Sequence, residues 1–477
     1  MRWFLFFLVV TIFWTTTAKA APPNVDSPAF ILAEQTTGRV LYSRNERERR
    51  YPANLTKMLT ALIALEELEP DEVIVIGQEI RGMPTGFGSN VHFEGETISV
   101  QMLLGSMLIR GANEPARVLA LNVIRRREGR FNIPFEQANA AFSALLSEKA
   151  RSLGATGTNF SNAFGHTNEN HFTTAYDLAL ITRAFMDNPI LAEIAATRTF
   201  EGDSLFGAEY AQPNVREHSW TSANQMLPHG AHGHPYVIGA KAGFTSAAGH
   251  VLAGAAEFDG LQLVTVVLGG TDAMRWQDTR RLIDYGLRNF SFREIARTGD
   301  VLAEVLIENP RLGDDETLQI ILGENTDGQP FYALLSHAEY ASVRQTIIYD
   351  PTLPVIPEED DETESTKTIL RAPIEEGMQI GTARFAMGTE PFLILFEAPV
   401  FAAHAVYERT FDSDMDYHLA AFFGNVFSRR ALPYYFGIFG TIFGIIGIII
   451  AVRTSRRTGR STGWTYSGDR RSRYNRY

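Results

Sequence analysis

The chain has 477 residues, of which 45% are hydrophobic, so it can form two or three domains with buried cores and is not broadly disordered. It contains no cysteine, which excludes disulfides and thiolate metal sites and leaves the redox compartment open. The net charge of −12 is uneven, because residues 453–477 hold eight arginines and one aspartate and residues 1–452 therefore carry −19. A body this acidic argues against nucleic-acid binding.

Residues 1–20 have the pattern of a secretory signal peptide. Arg2 supplies a positive charge, residues 4–14 form a compact apolar run, and Ala18 and Ala20 are small residues suited to cleavage. The alternative is an uncleaved membrane anchor, since the run is aromatic and fairly long. Either interpretation predicts that the body of the chain lies outside the cytoplasm, on the periplasmic or cell-surface side.

A β-hairpin over residues 29–33 and 39–42 and a buried helix from Asn54 are the next predicted elements. Asn54 is a favourable N-cap, because its side-chain oxygen can accept an otherwise orphaned backbone N–H. Lys57 follows one turn later, so both side chains are expected to face the same cavity. Thr56 lies about 100° further around the helix and should point away from Lys57.

Two further short motifs follow at long intervals. Gly111-Ala112-Asn113 lies between two predicted helices, and Lys241-Ala242-Gly243 opens a predicted strand, with Thr245 shortly after it. Together with the pair Asn54 and Lys57, they match the order and spacing of the S-x-x-K, S-x-N and K-T-G motifs. From about residue 30 to about residue 399, the chain resembles the D-alanyl-D-alanine carboxypeptidases, the low-molecular-weight penicillin-binding proteins.

The resemblance implies a role for each motif position that survives. In the family, the first serine attacks a carbonyl, the lysine one turn later acts as general base, and the asparagine of S-x-N orients the substrate amide. Lys57 and Asn113 hold the last two positions. Lys241, Gly243 and Thr245 are expected to bind the substrate, since the K-T-G lysine supports carboxylate binding.

All three hydroxyl positions of the motifs are lost, to Asn54, Gly111 and Ala242. An amide cannot form the acyl-enzyme ester, and loss of the nucleophile from a comparable serine hydrolase costs roughly 10⁶ in turnover. We therefore expect a catalytically inactive homologue that binds peptidoglycan peptides or a wall-synthesis protein. Two alternatives remain open: a carboxypeptidase that uses an unorthodox nucleophile or water, and a structural adaptor. Asn113 could also merely cap the following helix, and Lys241 could be a solvated strand residue.

The α/β (α+β) fold that the resemblance implies for residues 24–292 is an antiparallel sheet covered by helices. A helix over residues 135–153 should end at Gly154, a natural C-cap. Asp259-Gly260, between the apolar runs 250–258 and 261–268, is the strongest short hairpin signal in the chain. A closing helix is predicted over residues 277–289.

A histidine pattern precedes the third motif. His229, His232 and His234 form H-x-x-H-x-H in a glycine-rich loop. Three imidazoles could ligate zinc, but a usable site also needs rigid geometry and supporting contacts. We therefore interpret the segment as a flexible exposed loop, and no metal or cofactor is predicted.

The C-terminal part should contain a small β-rich domain over residues 298–400, interrupted by a solvated acidic loop at 358–362. Residues 401–432 predict a stalk or an amphipathic helix. Residues 433–452 predict a single transmembrane helix, because an uncharged stretch long enough to cross a bilayer is followed at once by arginines. The positive-inside rule places the basic tail, residues 453–477, in the cytoplasm.

The predicted span carries small residues on one face, which favours a homodimer through close helix packing. Its glycines recur at intervals of three, four and three residues: Gly437, Gly440, Gly444 and Gly447.

Overall fold

The computed structural model of the protein describes residues 21–83, 89–207, 214–353, 355–359, 366–388 and 393–426, with four residues between 445 and 449. The chain divides into two compact units, the first formed by residues up to Arg293 and Tyr332–Val343, the second by Glu294–Phe331 and the residues from Arg344 onward. The predicted signal peptide and basic tail lie outside the described residues, as does almost all of the predicted span with its glycines. Among the residues described, no helix is both long and apolar enough to cross a membrane.

The strands up to α7 are β1 (Ala29–Glu34), β2 (Val40–Arg44), β3 (Val73–Val75), β4 (Glu96–Ser99), β5 (Thr199–Phe206), β6 (Asn214–Thr221), β7 (Val237–Thr245), β8 (Gly249–Phe258) and β9 (Leu261–Gly270). The helices are α1 (Thr56–Glu67), α2 (Val100–Gly105), α3 (Glu114–Glu128), α4 (Phe135–Ser152), α5 (Ala175–Asp187), α6 (Pro189–Ala196) and α7 (Asp272–Asn289). Short 3-10 turns lie at Ala53–Leu55 and Gln78–Ile80.

The central sheet of the first unit has five strands in the order β2-β1-β9-β8-β7, and every neighbouring pair is antiparallel. Both predicted hairpins are confirmed. Asp259 and Gly260 connect β8 to β9 with φ values of +50° and +75°, as a two-residue hairpin turn requires. This sheet is the frame that positions the third motif on β7.

Alternating side chains of β1 show how the sheet is covered on both faces. Ile31 packs into the larger core with residues of α1 and α5, while Phe30 packs into a second core with Trp276 and Leu282 of α7. The predicted helix-covered antiparallel sheet is therefore confirmed.

Two helix ends in the first unit show what sets them. Gly154 follows α4 with φ of +83°, the left-handed conformation expected of its C-cap role. Helix α7 begins at Asp272 rather than at the predicted residue 277, because the Thr271 hydroxyl accepts a hydrogen bond from Met274 N at 3.3 Å and caps the helix earlier.

A second sheet in the first unit was not predicted as a unit from the sequence. It contains four strands in the order β3-β4-β5-β6, all antiparallel. Residues 108 positions apart lie side by side in it, since Glu96 begins β4 and Ser204 lies on β5. Strand pairing over such separations has no local signal in a single sequence.

The remaining strands are β10 (Phe290–Ala296), β11 (Val301–Glu308), β12 (Thr317–Leu322), β13 (Phe331–Ser336), β14 (Arg344–Tyr349), β15 (Val355–Glu359), β16 (Thr366–Arg371), β17 (Gln379–Met387) and β18 (Leu393–Ala402). Helices α8 (His337–Tyr340) and α9 (Phe411–Val426) complete the fold. Seven of these strands form one sheet in the order β14-β17-β18-β12-β11-β16-β15, which confirms a β-rich C-terminal domain.

Two expectations for this part of the chain are wrong in detail. Glu358 and Glu359 do not belong to a loop but end β15, where Glu358 pairs with Lys367 of β16. The predicted stalk from residue 401 begins too early, because β18 runs to Ala402 and Val406 bridges to Ile374. These backbone pairings hold the segment in the sheet domain, and α9 follows it.

Candidate functional site

The first motif lies where α1 begins. Asn54 is half-buried in the 3-10 turn, and Lys57 is fully buried one turn later. The predicted N-cap is wrong, because Leu55 holds that position and no side chain caps the helix. Asn54 Oδ1 instead accepts a hydrogen bond from Lys57 Nζ at 3.3 Å. The two side chains therefore face the same cavity.

The second motif follows α2, which continues as one π-helical stretch, Ser106–Arg110, before the chain turns. Gly111 ends this stretch with φ of +83°, a conformation that glycine adopts without strain. Asn113 lies just before α3, but its side chain does not cap that helix. Its Oδ1 accepts a 2.5 Å hydrogen bond from Lys57 Nζ, and Gly111 O accepts one of 2.8 Å. Asn113 is therefore part of the cluster around Lys57.

The third motif lies on β7, at the edge of the central sheet. Lys241 is 2% exposed and its Nζ donates to Leu108 O at 2.8 Å, so the solvated-strand interpretation is wrong. Gly243 lies against the first motif, since a methyl group added to it would be 2.9 Å from Asn54 N. Glycine therefore allows β7 to approach the start of α1 this closely.

A small gap beside Gly111 joins the three motifs. A methyl group at Gly111 would lie 3.7 Å from Lys241 Nζ and 3.8 Å from Asn54 Nδ2. Since Asn54 Oδ1 accepts from Lys57, Nδ2 is the amide atom that faces this gap. Two hydrogen-bond donors therefore converge on the space where an S-x-N motif would place its serine side chain.

Burial lowers the pKa of both lysines. It lowers the pKa of Lys57 well below its usual value, and the charge of Lys241 lowers that pKa further. Burial, with the nearby charge of Arg275, lowers the pKa of Lys241 to about 8. The three oxygen atoms around Lys57 Nζ suit an ammonium group, but desolvation is the larger effect. Lys241 is thus mostly protonated at neutral pH, and Lys57 gives up its proton more readily than an ordinary lysine does.

The carboxylate of Glu114 acts on Lys57 in the opposite direction to burial. Burial would raise the pKa of Glu114, but hydrogen bonds from Ser89 and Asn90 outweigh it and lower that pKa. The backbone N–H groups of Ser89 and Asn90 donate to Glu114 Oε1 at 2.6 and 2.9 Å. Its negative charge raises the pKa of Lys57 and partly offsets the positive charge of Lys241.

The cluster therefore retains a candidate base without a hydroxyl for it to activate. Positions 54, 111 and 242 carry an amide, a hydrogen atom and a methyl group. The nearby hydroxyl of Thr56 points away from Lys57, as predicted, and contacts His171 Nε2 at 2.9 Å. The arrangement can donate hydrogen bonds to a carbonyl or carboxylate, but none of the three motif positions can form an ester.

The other residues singled out in the sequence have separate surroundings. Thr245 is buried, and its hydroxyl accepts from Ala248 N at 3.1 Å, so it closes the turn after β7. The three loop histidines have different environments: His229 is exposed, the His232 ring stacks on Trp276 at 5.5 Å, and His234 Nε2 lies 3.3 Å from Asp284 Oδ1. The exposed-loop interpretation is wrong for His234, which is buried.

Two residues that the sequence did not single out help to shape the cluster. Gly165 has φ of +92°, and a methyl group on it would lie 1.9 Å from Ala53 O. Arg275 of α7 donates a hydrogen bond to Gly243 O at 3.1 Å and so helps to fix the position of β7. A lone glycine and a helical arginine carry no local signal of contact with a motif that lies far away in the chain.

A family model described as D-alanyl-D-alanine carboxypeptidase matches residues 15–272. The D-alanyl-D-alanine carboxypeptidase DacC of Escherichia coli (strain K12) is 30% identical over 298 residues, which cover 60% of this chain and 67% of the relative. DacD of Salmonella typhimurium is 26% identical over 341 residues, covering 69% of this chain and 78% of the relative.

Solved structures show the same fold. The D-alanyl-D-alanine carboxypeptidase DacD from Francisella tularensis superposes with a TM-score of 0.58 at 22% identity, covering 82% of this chain and 96% of that one. Penicillin binding protein 5 from Haemophilus influenzae gives a TM-score of 0.54 at 20% identity, covering 82% of this chain and 100% of that one.

Proposed function

Because the chain belongs to the D-alanyl-D-alanine carboxypeptidase family, we propose that it binds peptides ending in D-Ala-D-Ala, as in peptidoglycan, without cleaving them. One observation carries this proposal. Lys57, Asn113 and Lys241 still converge at Gly111, while Asn54 occupies the position of the nucleophile. The positions that bind substrate in the family are thus kept in place around an amide side chain, which cannot attack a carbonyl as a serine would.

The gap at Gly111 supports recognition of an acceptor group on the peptide. Lys241 Nζ and Asn54 Nδ2 both lie within 4 Å of the point that a side chain at Gly111 would occupy. A carbonyl or carboxylate oxygen placed there would accept from an ammonium group and from an amide. Charge-assisted hydrogen bonds of this kind are shorter and roughly twice as strong as neutral ones.

The binding proposal is tested by titrating the purified protein with an N-acylated D-Ala-D-Ala peptide in a calorimeter. We expect one site, no release of D-alanine, and binding weakened about 10- to 150-fold in Lys241→Met, because a hydrogen bond to a charged group contributes about 1.5–3 kcal/mol. The matched L-Ala-L-Ala peptide is the control. Equal binding of both peptides, or none of either, would favour the adaptor interpretation instead.

The same titration should depend on pH through Lys241. Burial lowers the pKa of this lysine to about 8, so its charge is present below that pH and is lost above it. Affinity for the carboxylate should therefore be flat between about pH 6 and 7.5 and then fall by up to about tenfold per pH unit. Lys241→Met should show no such fall. An affinity that rises above pH 8 would contradict this role for Lys241.

Residual hydrolysis is the second candidate function, and the lowered pKa of Lys57 favours it. An amine whose pKa is well below its usual value can take a proton from water, which would then attack in place of a serine. Release of D-alanine at a rate above that of Lys57→Met would establish this activity. Absence of release from both proteins would leave binding as the function.

We also propose that the chain is anchored by the uncharged stretch at 433–452, with the folded units outside the cytoplasm and the tail inside. Protease added outside intact spheroplasts should then digest the folded units and spare a tag placed after Tyr477. A tag cleaved from outside would contradict a single span with a cytoplasmic tail. Lysed spheroplasts, in which both sides are accessible, provide the control.

A further inference from the structure

A buried cluster in the four-stranded sheet of the first unit is separate from the site that Lys57, Asn113 and Lys241 form around Gly111. His92 precedes β4, Glu96 begins β4, and His218 lies on β6, with exposures of 2%, 0% and 7%. His92 Nδ1 lies 3.3 Å from Glu96 Oε2, and His218 Nε2 lies 3.0 Å from Glu96 Oε1. We propose that these three side chains form a structural binding site for a divalent first-row transition metal, most favourably Zn²⁺.

The tautomer of His92 is set by a hydrogen bond outside the cluster. The Ser106 hydroxyl donates its one proton to Leu103 O at 3.0 Å, so it can only accept from His92 Nε2, which is 2.8 Å away. In the neutral ring, Nδ1 therefore carries the lone pair. A ring nitrogen held by such an outer contact is the usual state of a metal-binding histidine.

This lone pair faces a carboxylate. His92 Nδ1 is shielded from solvent and lies 3.3 Å from Glu96 Oε2 without the alignment of a good hydrogen bond. A lone pair and a carboxylate oxygen repel each other in a buried site unless a positive charge lies between them. A metal ion bound to both atoms supplies that charge.

The carboxylate is also fixed from outside the cluster. Ser204 Oγ donates to Glu96 Oε1 at 2.5 Å, and Phe93 N donates to Glu96 Oε2 at 3.0 Å. Ser204 Oγ also lies 2.8 Å from His218 Nε2 and, with its proton given to Glu96, can only accept there, so a metal ion at Nε2 requires that proton to move to Nδ1 of the ring. The Trp220 ring packs against both imidazoles, 5.7 Å from that of His92 and 4.7 Å from that of His218. The donor atoms are thus oriented in an apolar setting that excludes bulk water.

The donor set selects the class of metal. Two imidazole nitrogens and one carboxylate oxygen suit Zn²⁺ and its neighbours better than Ca²⁺ or Mg²⁺, which prefer oxygen ligands alone. Arg216 Nη1 also lies 3.3 Å from Glu96 Oε2, but its side chain is one-third exposed and can turn to solvent when a cation binds. We therefore assign Arg216 as a competitor of the metal.

The position of the cluster indicates its effect. His92 is joined through Ser106 to the π-helical stretch that ends at Gly111, whereas His218 belongs to β6. A metal ion would tie the segment before β4 to the far edge of the sheet. Since all three ligands are buried, the ion would stabilise the unit and take no part in reactions on substrate.

The test uses the full chain, stripped with a chelator, incubated with Zn²⁺, passed through a desalting column and measured by atomic emission. We expect about one zinc per chain and a higher melting temperature with zinc, because an ion that binds only the folded state stabilises it. His92→Gln and His218→Asn should each lower the retained zinc at least tenfold. The double variant His229→Asn, His232→Asn removes two histidines outside the cluster and should retain it.

Arg216→Gln keeps the test informative if the histidine variants fold poorly. Removing the competing charge leaves all three ligands in place, so zinc should bind at least severalfold more tightly than in the wild type. Less than a tenth of a zinc per chain in the wild type would overturn the proposal and leave an ion pair of protonated His92 with Glu96. Zinc retained by His218→Asn, or weaker binding by Arg216→Gln, would overturn it equally.

Discussion

Restoring three hydroxyls should rebuild covalent chemistry at the site around Gly111. We expect Asn54→Ser, Gly111→Ser, Ala242→Thr to take up fluorescent penicillin, whereas the wild type should take up none. The reason is that Lys57, with its lowered pKa, already lies one turn from position 54. Loss of the nucleophile alone costs roughly 10⁶ in a comparable hydrolase, so the recoverable range is wide.

The single changes should do much less than the triple change. Residues that act as a unit are strongly non-additive, so Asn54→Ser alone should acylate slowly at best. Gly111→Ser has room for its Cβ, but its φ of +83° adds strain of about 1–2 kcal/mol for any residue with a side chain. Ala242 lies buried on β7, where threonine suits a strand. We therefore expect the Gly111 change to limit the stability of the triple variant.

Label on a denaturing gel and the mass of the adduct are the measurements. The triple variant combined with Lys57→Met is the matched control, since it keeps the hydroxyls and removes the base. It should lose the label. A triple variant that is well folded but takes up no penicillin would mean that the cavity has drifted from its catalytic shape. The peptide-binding proposal would then give way to an adaptor function.

The proximity of the motif residues could be predicted from the sequence better than the contacts around them. The three-residue spacing of Asn54 and Lys57 is a helical distance, so a shared cavity could be foreseen from the chain alone. The order of the motifs along the chain resembled a known family, and that resemblance supplied the helix-covered sheet. Hairpin geometry at Asp259-Gly260 was predictable because the turn depends on those two residues.

What the sequence missed depends on contacts between distant segments. Asn54 is of a residue type that often caps helices. In the structure it instead lies in a 3-10 turn, against which β7 and the segment around Gly165 pack closely. Lys241 is charged and lies on an edge strand, yet Leu108 O, 133 residues away, accepts its hydrogen bond inside the unit. His92 and His218 meet only because β4, β5 and β6 pair in one sheet. None of these contacts has a local pattern.

Gly165→Ala should destabilise the protein severely, by about 3 kcal/mol or more, through backbone overlap in the turn before α1. The added methyl group would lie 1.9 Å from Ala53 O, and the clash cannot be relieved by rotating a side chain. Ala53 itself has φ of +47°, so the turn that holds Asn54 is already in an uncommon conformation.

Gly129→Ala is the matched control, because Gly129 has φ of +64° and a methyl group there would meet no atom within 4 Å. It should cost only the strain of the left-handed conformation, about 1–2 kcal/mol. Urea unfolding of both variants separates overlap from strain. Equal losses of stability would show that Ala53 and Gly165 can move apart at little cost. We expect Gly165→Ala to lose more free energy of unfolding than Gly129→Ala does. Its folded fraction should also bind the peptide more weakly, because this packing holds Asn54 in place beside Lys57.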